Sequence, residues 1–195
     1  MYKGFTCVNL NESDSLWHGM LPKDLIPDST LFSELWNLHP EKYHTLKILG
    51  KTVETPRWQQ AYNKSYKYTG SSNDALPVPP EFRPYWDWSM TSIDSRLNGL
   101  LLNWYDCALG HYIGKHRDST HNMIEGAPIV TLSFGEERVF RLRPWKAKVG
   151  YNDFVVQNGS VIIMPYQTNQ SWTHEITKSK KLRGKRISLT LRGFE

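Results

Sequence analysis

The sequence has 195 residues, of which 39% are hydrophobic and 13% aromatic, so it suits one domain with a full core and is too apolar for a disordered chain. Two cysteines exclude a disulfide framework, and we expect a reducing compartment, the cytoplasm or, in a eukaryote, the nucleus. No run reaches the roughly 18 apolar residues of a membrane helix, so we expect no membrane partner.

The first half of the chain predicts short helices joined by loops. Asp28 is a good N-cap, and the leucines after it recur at helical spacing, which predicts a helix over 29–38. Four prolines within residues 69–84 predict an extended loop. A further helix is predicted by a group of apolar residues that fit one helical face: Ile93, Leu97, Leu100 and Leu101.

The second half of the chain changes to short runs that favour β-strands. Glycine-containing turns separate the runs, at Gly135-Glu136 and at Asn158-Gly159, which is a typical hairpin pair. Several short strands at this spacing predict a sandwich or barrel of the jelly-roll kind. We therefore expect a helical flank over residues 1–97 and a β core over 98–195, packed as one unit. The predicted strands cover 100–105, 128–134, 138–142, 154–156, 160–164 and 187–192.

Two histidines and an aspartate in the β half suggest a metal site. His116 and Asp118 lie two residues apart, so on an extended segment their side chains point to one face. His174 follows 56 residues after Asp118, far enough for the chain to return to the same mouth. Two imidazoles and one carboxylate leave half of an octahedral iron open, as in non-haem Fe(II) oxygenases. The alternative for an H-x-D pair alone is a surface ion pair or a capped turn.

Two C-terminal arginines could hold an acid beside such a metal. Arg186 and Arg192 are six residues apart and share a strand face with Ser188 and Thr190. A planar guanidinium binds a carboxylate through two parallel hydrogen bonds. The alternative for either arginine is a cross-strand salt bridge.

Aromatic and basic residues elsewhere leave the nature of the substrate open. Aromatic rings in the first half could stack on a base, or could simply pack that segment onto the barrel. The basic cluster at 178–186 could meet phosphates, or be a solvated loop. We expect five other tryptophans to be core or scaffold residues: Trp17, Trp36, Trp86, Trp88 and Trp145.

Taken in order, the motifs of the second half resemble the catalytic domain of the AlkB-like 2-oxoglutarate and Fe(II)-dependent dioxygenases. The similarity covers residues 98–194 and extends upstream to 55–58 and 66–70, where members acting on nucleic acids carry a nucleotide-recognition lid. The resemblance implies a mainly β (α+β) fold, a double-stranded β-helix, with a lid over 55–84. The matching segments are Leu102-Asn103-Trp104-Tyr105, His116-x-Asp118, Pro128 to Gly135, Arg138-x-Phe140, Asn158 to Met164, Trp172-x-His174 and Arg186-x-Ser188-x-Thr190-x-Arg192.

The resemblance also implies roles for individual residues. His116, Asp118 and His174 would bind Fe(II), with 2-oxoglutarate and dioxygen as co-substrates. Arg186 would pair with the distal carboxylate of 2-oxoglutarate, and Arg192 would support its metal-chelating end. Asn103, Tyr105 and Ser188 would also contact this co-substrate. The residues expected to contact the substrate are Arg57, Trp58, Tyr66, Tyr68, Thr120 and Arg138.

Three functions follow as hypotheses. The first is oxidative removal of N-alkyl groups from bases of DNA or RNA by a monomeric enzyme. The second is the same oxidation of a protein side chain or a small molecule, which Thr120 favours because base-repairing members usually carry an acidic residue there. The third is a nucleic-acid-binding module without turnover.

Overall fold

The computed structural model describes residues 2–68, 71–146 and 150–195, without the side chains of residues 48, 66–68, 71 and 72. The helices are Ser29–Trp36 (α1), Arg83–Ser92 (α2) and Tyr166–Ser171 (α3). The strands of the first half are Thr6–Asn9 (β1), Ser15–Met20 (β2), Thr45–Ile48 (β3), Lys51–Glu54 (β4), Trp58–Tyr62 (β5), Tyr66–Tyr68 (β6), Ser71–Asn73 (β7) and Ala75–Leu76 (β8). Those of the second half are Gly99–Asp106 (β9), Ile113–His116 (β10), Ile129–Gly135 (β11), Arg138–Pro144 (β12), Asn152–Val156 (β13), Ser160–Met164 (β14), Trp172–Ile176 (β15) and Lys185–Arg192 (β16).

The eight strands of the second half divide between two sheets, in which they pair in antiparallel fashion. The larger sheet has the order β1-β2-β14-β11-β16-β9-β5-β8, and the smaller has the order β10-β15-β12-β13. Strands β9, β11, β14 and β16 thus form one half of the barrel, and β10, β12, β13 and β15 form the other. This interleaving is the double-stranded β-helix that the sequence predicted.

The central strands of the larger sheet are buried on both faces. One face packs with the smaller sheet in a cluster that includes Tyr105, Ile129 and Ile162 together with Phe140 and Trp172. The opposite face is covered by the N-terminal flank, in a second cluster that joins Leu102, Leu132 and Leu189 to Leu35 of α1 and Tyr85 of α2. A strand buried on both faces is apolar at nearly every position, which explains the continuous apolar runs of β9 and β14.

Residues 1–97 contribute strands as well as helices. The predicted helix is confirmed as α1, and the Asp28 carboxylate accepts hydrogen bonds from the backbone N–H groups of Thr30 and Leu31 at 3.0 and 2.9 Å. Strands β1 and β2 extend the larger sheet beyond β14, while β5 and β8 extend it beyond β9. The larger sheet therefore runs across the predicted boundary at residue 97. None of the helices in the described ranges is long and apolar enough to cross a membrane.

The predicted helix through Ile93 and Leu101 is wrong. Helix α2 ends at Ser92, and Leu100 and Leu101 lie in β9 with their side chains in the two different clusters. Because β9 is buried on both faces, its apolar residues also satisfy a helical spacing by coincidence.

Two other local predictions need correction. The segment 69–84 is not an extended loop: its described part contains β7, β8, a 3-10 turn at Pro80–Phe82 and the first turn of α2, while residues 69 and 70 lie outside the described ranges. Asn158-Gly159 does not close a hairpin, because it joins β13 of the smaller sheet to β14 of the larger one. Gly159 has a φ of +85°, so the turn still requires its glycine.

Candidate active site

Two paired strands of the smaller sheet bring the predicted metal ligands together. His116 is the last residue of β10 and faces His174 of β15 in the strand register, and Asp118 lies two residues beyond β10. The Asp118 Oδ1 atom lies 3.6 Å from His116 Nε2 and 3.8 Å from His174 Nε2. One ligand atom from each of the three side chains falls within 4.8 Å of the others. The prediction that these distant residues converge is confirmed.

The donor set fits a single transition-metal ion. Ligand atoms at about 2.1 Å from one ion can be separated by at most about twice that distance, and the two measured separations from Asp118 Oδ1 are shorter than this. Two imidazoles and one carboxylate are the facial set that leaves open positions on Fe(II). The three residues could therefore hold iron and still admit other ligands.

The surroundings of both imidazoles suit them to bind a metal. The Nδ1 atom of His116 lies 2.8 Å from the carbonyl oxygen of Gly114, an arrangement that places a proton on Nδ1 and leaves the Nε2 lone pair for a metal. The His174 ring stacks on Phe140, with 5.5 Å between the ring centroids. Burial, followed by the proximity of His116, lowers the pKa of His174 to about 3, so that this ring is neutral at neutral pH.

Asp118 is held from two sides. Its Oδ2 atom accepts hydrogen bonds from Nε and Nη2 of Arg192 at 2.9 and 2.6 Å. Its backbone N–H donates to Oδ1 of Asn169 at 2.9 Å, while Nδ2 of Asn169 donates to the Asp118 carbonyl at 3.0 Å. Burial opposes the charged carboxylate, but Arg192 and the two histidines outweigh it and keep the pKa of Asp118 well below its usual range. The Oδ1 atom remains directed toward the histidines.

A cavity inside the barrel opens beside the three ligands. Arg186 lies in its wall with its side chain fully buried, and Nη2 donates to the Ser133 hydroxyl at 2.9 Å. The Nε and Nη1 atoms of this guanidinium have no hydrogen-bond partner among the described residues. Burial lowers the pKa of Arg186 to about 10, which leaves the group charged at neutral pH. An unpaired cation of this kind requires an anion in the cavity.

The residues predicted to contact an oxo-acid line the same cavity. Asn103 and Tyr105 of β9 lie opposite Ser188 and Arg186 of β16 in the strand register, and all four are buried. The Arg186 guanidinium carbon lies 5.2 Å from the centroid of the Tyr105 ring. The cavity is thus lined by metal ligands, hydrogen-bonding groups and an unpaired guanidinium, which together could bind a dianionic oxo-acid.

Comparison with known proteins places the chain in a family with this chemistry. The sequence model of the 2OG-Fe(II) oxygenase superfamily matches residues 32–192. The chain belongs to the 2OG-Fe(II) oxygenase superfamily. The family uses Fe(II), 2-oxoglutarate and dioxygen, which is what the three ligands and Arg186 had indicated.

Similar members of the superfamily are AlkB-like proteins. DNA oxidative demethylase ALKBH2 of Homo sapiens is 29% identical over an alignment of 157 residues, and the match covers 75% of this chain and 60% of that protein. The protein of the same name from Arabidopsis thaliana is 31% identical over an alignment of 120 residues, and the match covers 50% of this chain and 38% of that one. The chain therefore spans about 60% of the length of the human relative.

Two solved structures share the fold. The structure of OsALKBH1 superimposes with a TM-score of 0.61 at 14% identity, over 96% of this chain and 100% of that one. An oxidoreductase of the 2OG-Fe(II) oxygenase family from Burkholderia pseudomallei superimposes with a TM-score of 0.55 at 14% identity, over 90% of this chain and 84% of that one. At this level of identity the likeness establishes the double-stranded β-helix alone.

Arg57, which was expected to contact the substrate, lies in the wall of the cavity. It is buried in the cavity wall, where Nε donates to Oδ1 of Asn103 at 2.7 Å and Nη2 donates to Oε1 of Gln59 at 2.9 Å. Gln59 in turn donates to Oδ1 of Asn73 at 2.6 Å. This chain of hydrogen bonds fixes Asn103 from behind, so Arg57 can orient a cavity residue.

Two other predicted substrate contacts are placed away from the cavity. The Trp58 ring stacks with His39 and with Tyr43, at centroid separations of 4.3 and 5.1 Å. Arg138 is buried and donates to the sulfur of Cys107 and to the carbonyls of His111 and Thr177. Neither Trp58 nor Arg138 is among the described residues that line the cavity. Both make scaffold contacts here, and their contact with the substrate stays a prediction.

The remaining predicted substrate contacts divide into two groups. Thr120 is half-buried and lines a separate groove that starts at His116 and Asp118. Tyr66 and Tyr68 lie in β6, and their side chains lie outside the described part of the structure.

Asn169 is a site residue that sequence reasoning missed. It lies on α3, a short helix that periodicity does not reveal, and it contacts Asp118 through backbone atoms 51 residues away. The one local signal was its place five residues before His174. A polar amide in that position is equally common on any exposed helix, so nothing distinguished it.

Proposed function

We propose that the protein is an Fe(II)- and 2-oxoglutarate-dependent dioxygenase that removes N-alkyl groups from the bases of DNA. The observation that carries the proposal is one cavity that joins three metal-ligand side chains to a fully buried, unpaired guanidinium. The three side chains can bind a metal, and the guanidinium can bind an anion. Together they favour an anionic co-substrate that also ligates the metal.

Different residues of the cavity would bind the metal and the co-substrate. His116, Asp118 and His174 would hold Fe(II), and Arg186 would take the distal carboxylate of 2-oxoglutarate through its two unpaired nitrogens. Asn103, Tyr105 and Ser188 would offer hydrogen bonds along the length of the oxo-acid. Arg192 donates to Asp118 instead of facing an empty site, so its part is to keep that carboxylate charged and oriented.

Bound iron supplies the chemistry that couples decarboxylation of 2-oxoglutarate by dioxygen to hydroxylation of a nearby C–H bond. For an N-methyl base the overall reaction consumes 2-oxoglutarate and dioxygen and gives succinate, carbon dioxide and an N-hydroxymethyl base. That product releases formaldehyde when its C–N bond breaks and a proton returns to the base nitrogen.

The substrate class is supported by the relatives. Proteins named DNA oxidative demethylase match three quarters of this chain. A groove of about 660 Å³ also starts at His116 and Asp118 and opens to solvent, and its volume lies within the range of about 300–1,000 Å³ that ligand sites occupy. A base presented at the end of the groove that His116 and Asp118 line would lie beside the metal ligands.

The second candidate is the same oxidation of a protein side chain or small molecule. The observation that favours it is Thr120, which gives the groove a hydroxyl group where base-repairing members carry a carboxylate. The third hypothesis, binding without turnover, does not account for a complete ligand set beside an unpaired buried arginine. Action as a monomer, in the cytoplasm or the nucleus, stays a prediction.

The test is incubation with Fe(II), 2-oxoglutarate, ascorbate and a panel of methylated DNA oligonucleotides, methylated RNA oligonucleotides and methylated peptides. We expect formaldehyde above the uncoupled background from the DNA panel, and none from His174→Ala. The matched control is His44→Ala, because His44 is not among the described residues that line the cavity. Succinate without formaldehyde from any DNA substrate would reject DNA demethylation and leave the dioxygenase chemistry in place.

A further inference from the structure

The groove beside the metal site has a wall that the proposed reaction does not use. Trp145 follows β12 and is 50% exposed, although the sequence suggested a core or scaffold residue. The guanidinium carbon of Arg117 lies over the Trp145 ring, 4.1 Å from its centroid. Arg117 is further fixed because Nη1 donates to the Gln170 carbonyl at 2.8 Å. An indole and a guanidinium are thus held together in a preformed pair at the surface.

The groove also carries positive charge that no acidic side chain cancels. Lys115 and Arg117 line it, and neither forms an ion pair with a carboxylate in the described part of the chain. Asp118 is the one acidic residue among the described groove residues, and its Oδ2 is already paired with Arg192. By contrast, on the nearby strand β12 Arg141 is paired with Asp153 and Arg143 with Glu175. In the described part of the chain, the two cations of the groove thus differ from these arginines in having no acidic partner.

We propose that this groove binds the nucleotide next to the target base, with its base stacked on the Trp145–Arg117 pair and its phosphate between Lys115 and Arg117. Unpaired bases stack on aromatic rings and on guanidinium planes, and phosphates select unpaired cations. The groove begins at two metal ligands, so a nucleotide bound in it is one step along the strand from the reacting base. This inference rests on the proposed action on nucleic acid and adds a second, flanking subsite to it.

The Trp145 ring favours a single strand of nucleic acid over an acidic peptide as the ligand of this groove. Lys115 and Arg117 would attract either polyanion, but a half-exposed indole adds affinity only for a ligand with flat bases. Stacking does not depend on base identity, so the subsite is expected to accept any of the four bases.

The experiment measures binding of a fluorescein-labelled, unmethylated ten-nucleotide DNA strand by anisotropy, without iron or 2-oxoglutarate. Trp145→Leu should weaken binding about 5- to 100-fold, as expected for the loss of one base stack, while Trp145→Phe should recover most of the affinity. Lys115→Gln and Arg117→Gln should each lower the slope of log affinity against log salt by about 0.7, the single-strand value for one phosphate contact. Lys23→Gln removes the same charge from a turn outside the groove and should leave affinity and slope unchanged.

Each outcome of the binding experiment either supports or overturns the proposed flanking subsite. Equal affinity of the wild type and Trp145→Leu would overturn the proposal, as would an equal loss of affinity for a ten-residue acidic peptide, because the groove would then recognise charge alone. Retention of the 2-oxoglutarate-dependent rise in Tm shows that Trp145→Leu is folded. The assay contains no methylated base, so a ring-dependent affinity would support the subsite even if the demethylation test failed.

Discussion

Arg186 and Arg192 lie on the same strand and are both buried, yet their electrostatic surroundings are opposite. The Arg192 guanidinium forms a bidentate pair with Asp118, whereas Arg186 has one hydrogen bond, to the Ser133 hydroxyl, and two nitrogens without a partner. A paired buried charge and an unpaired one have different consequences for stability. The same substitution at the two positions should therefore have opposite effects.

We expect Arg186→Met to stabilise the protein in the absence of ligand. An apolar side chain of similar length removes an unpaired buried cation; even buried ion pairs, when replaced by packed apolar residues, often leave stability unchanged or raise it by about 1–4 kcal/mol. Each kcal/mol corresponds to about 2–4 °C in Tm for a chain of this size. The same variant should lose the rise in Tm that 2-oxoglutarate produces by binding the native state. Thermal unfolding with and without 2-oxoglutarate measures both effects.

The control for this substitution is Arg141→Met. Arg141 is largely solvated and pairs with Asp153, so its loss should cost at most about 1 kcal/mol, and the response to 2-oxoglutarate should persist. A lower Tm for ligand-free Arg186→Met, together with an unchanged response to 2-oxoglutarate, would show that the guanidinium is a structural group and not the anion site.

Arg192→Met should instead destabilise the protein strongly. The substitution leaves the Asp118 carboxylate buried without its partner, and breaking a buried pair in this way costs about 3–5 kcal/mol. In the double variant Asp118→Asn/Arg192→Met the charge is removed as well, so part of the lost stability should return. Urea unfolding of the wild type, the two single variants and the double variant gives the coupling energy directly. Additive effects would contradict a direct interaction between the two side chains.

The candidate metal ligands and the arginine proposed to bind the oxo-acid could be singled out from the sequence because their spacing carries information. His116 and Asp118 share a face at a strand end, and Arg186 follows His174 at a distance that one strand and one loop account for. The surroundings of these residues could not be predicted in the same way. That Arg192 pairs with Asp118, and that Arg138 points to Cys107, depends on which strands become neighbours in three dimensions.

At the scale of elements, helix α3 is the support of the metal site. Asn169 makes two hydrogen bonds to the backbone of Asp118, and both residues are buried. The segment that carries Asp118 lies beyond the end of β10 and so lacks a strand partner of its own. Its position therefore depends on the Asn169 side chain.

Asn169→Ala should weaken metal binding without abolishing it. Groups that orient a metal ligand typically contribute about 10–100-fold to metal affinity, and the loss of both hydrogen bonds leaves two buried backbone groups of Asp118 unsatisfied. Anaerobic calorimetric titration with Fe(II) measures the change. Gln167→Ala lies on the same helix with an exposed side chain and should bind Fe(II) as the wild type does. Equal affinity in both variants would remove Asn169 from the site.

Local patterns predicted helix α1 and most strands of the β core, but they misassigned the start of β9 and missed strands of the flank. Helix α1 was recognised because it has an N-cap at Asp28 and one apolar side. Strand β9 was partly mistaken for a helix because the flank buries its outer face, and the flank's own strand β2 was missed. Whether a face is covered is decided by distant parts of the chain, so a single segment does not contain the answer.

At the scale of the whole molecule, the N-terminal flank and the β core share one sheet and one buried cluster. Strand β2 pairs with β14, and Leu16 of β2 is fully buried in the cluster between the two sheets. The Trp172 indole N–H donates to Oδ2 of Asp14 at 3.1 Å, and the Thr168 hydroxyl donates to the Ser15 carbonyl at 2.8 Å. The N-terminal hairpin thus supports α3 and the start of β15, which carry Asn169 and His174.

We therefore expect the flank and the core to unfold in one transition. Leu16→Ala in the flank and Leu189→Ala in the core should each cost about 2–5 kcal/mol, the usual range for a buried leucine. For each variant, the unfolding midpoint followed by far-UV circular dichroism should shift by the same amount as the midpoint followed by tryptophan fluorescence. A two-state unit gives coincident transitions by every probe. Leu31→Ala, at a position that is 36% exposed, should cost much less. If Leu16→Ala separated the two transitions, residues 1–97 would form an independent unit, and the metal site would not depend on the flank for its stability.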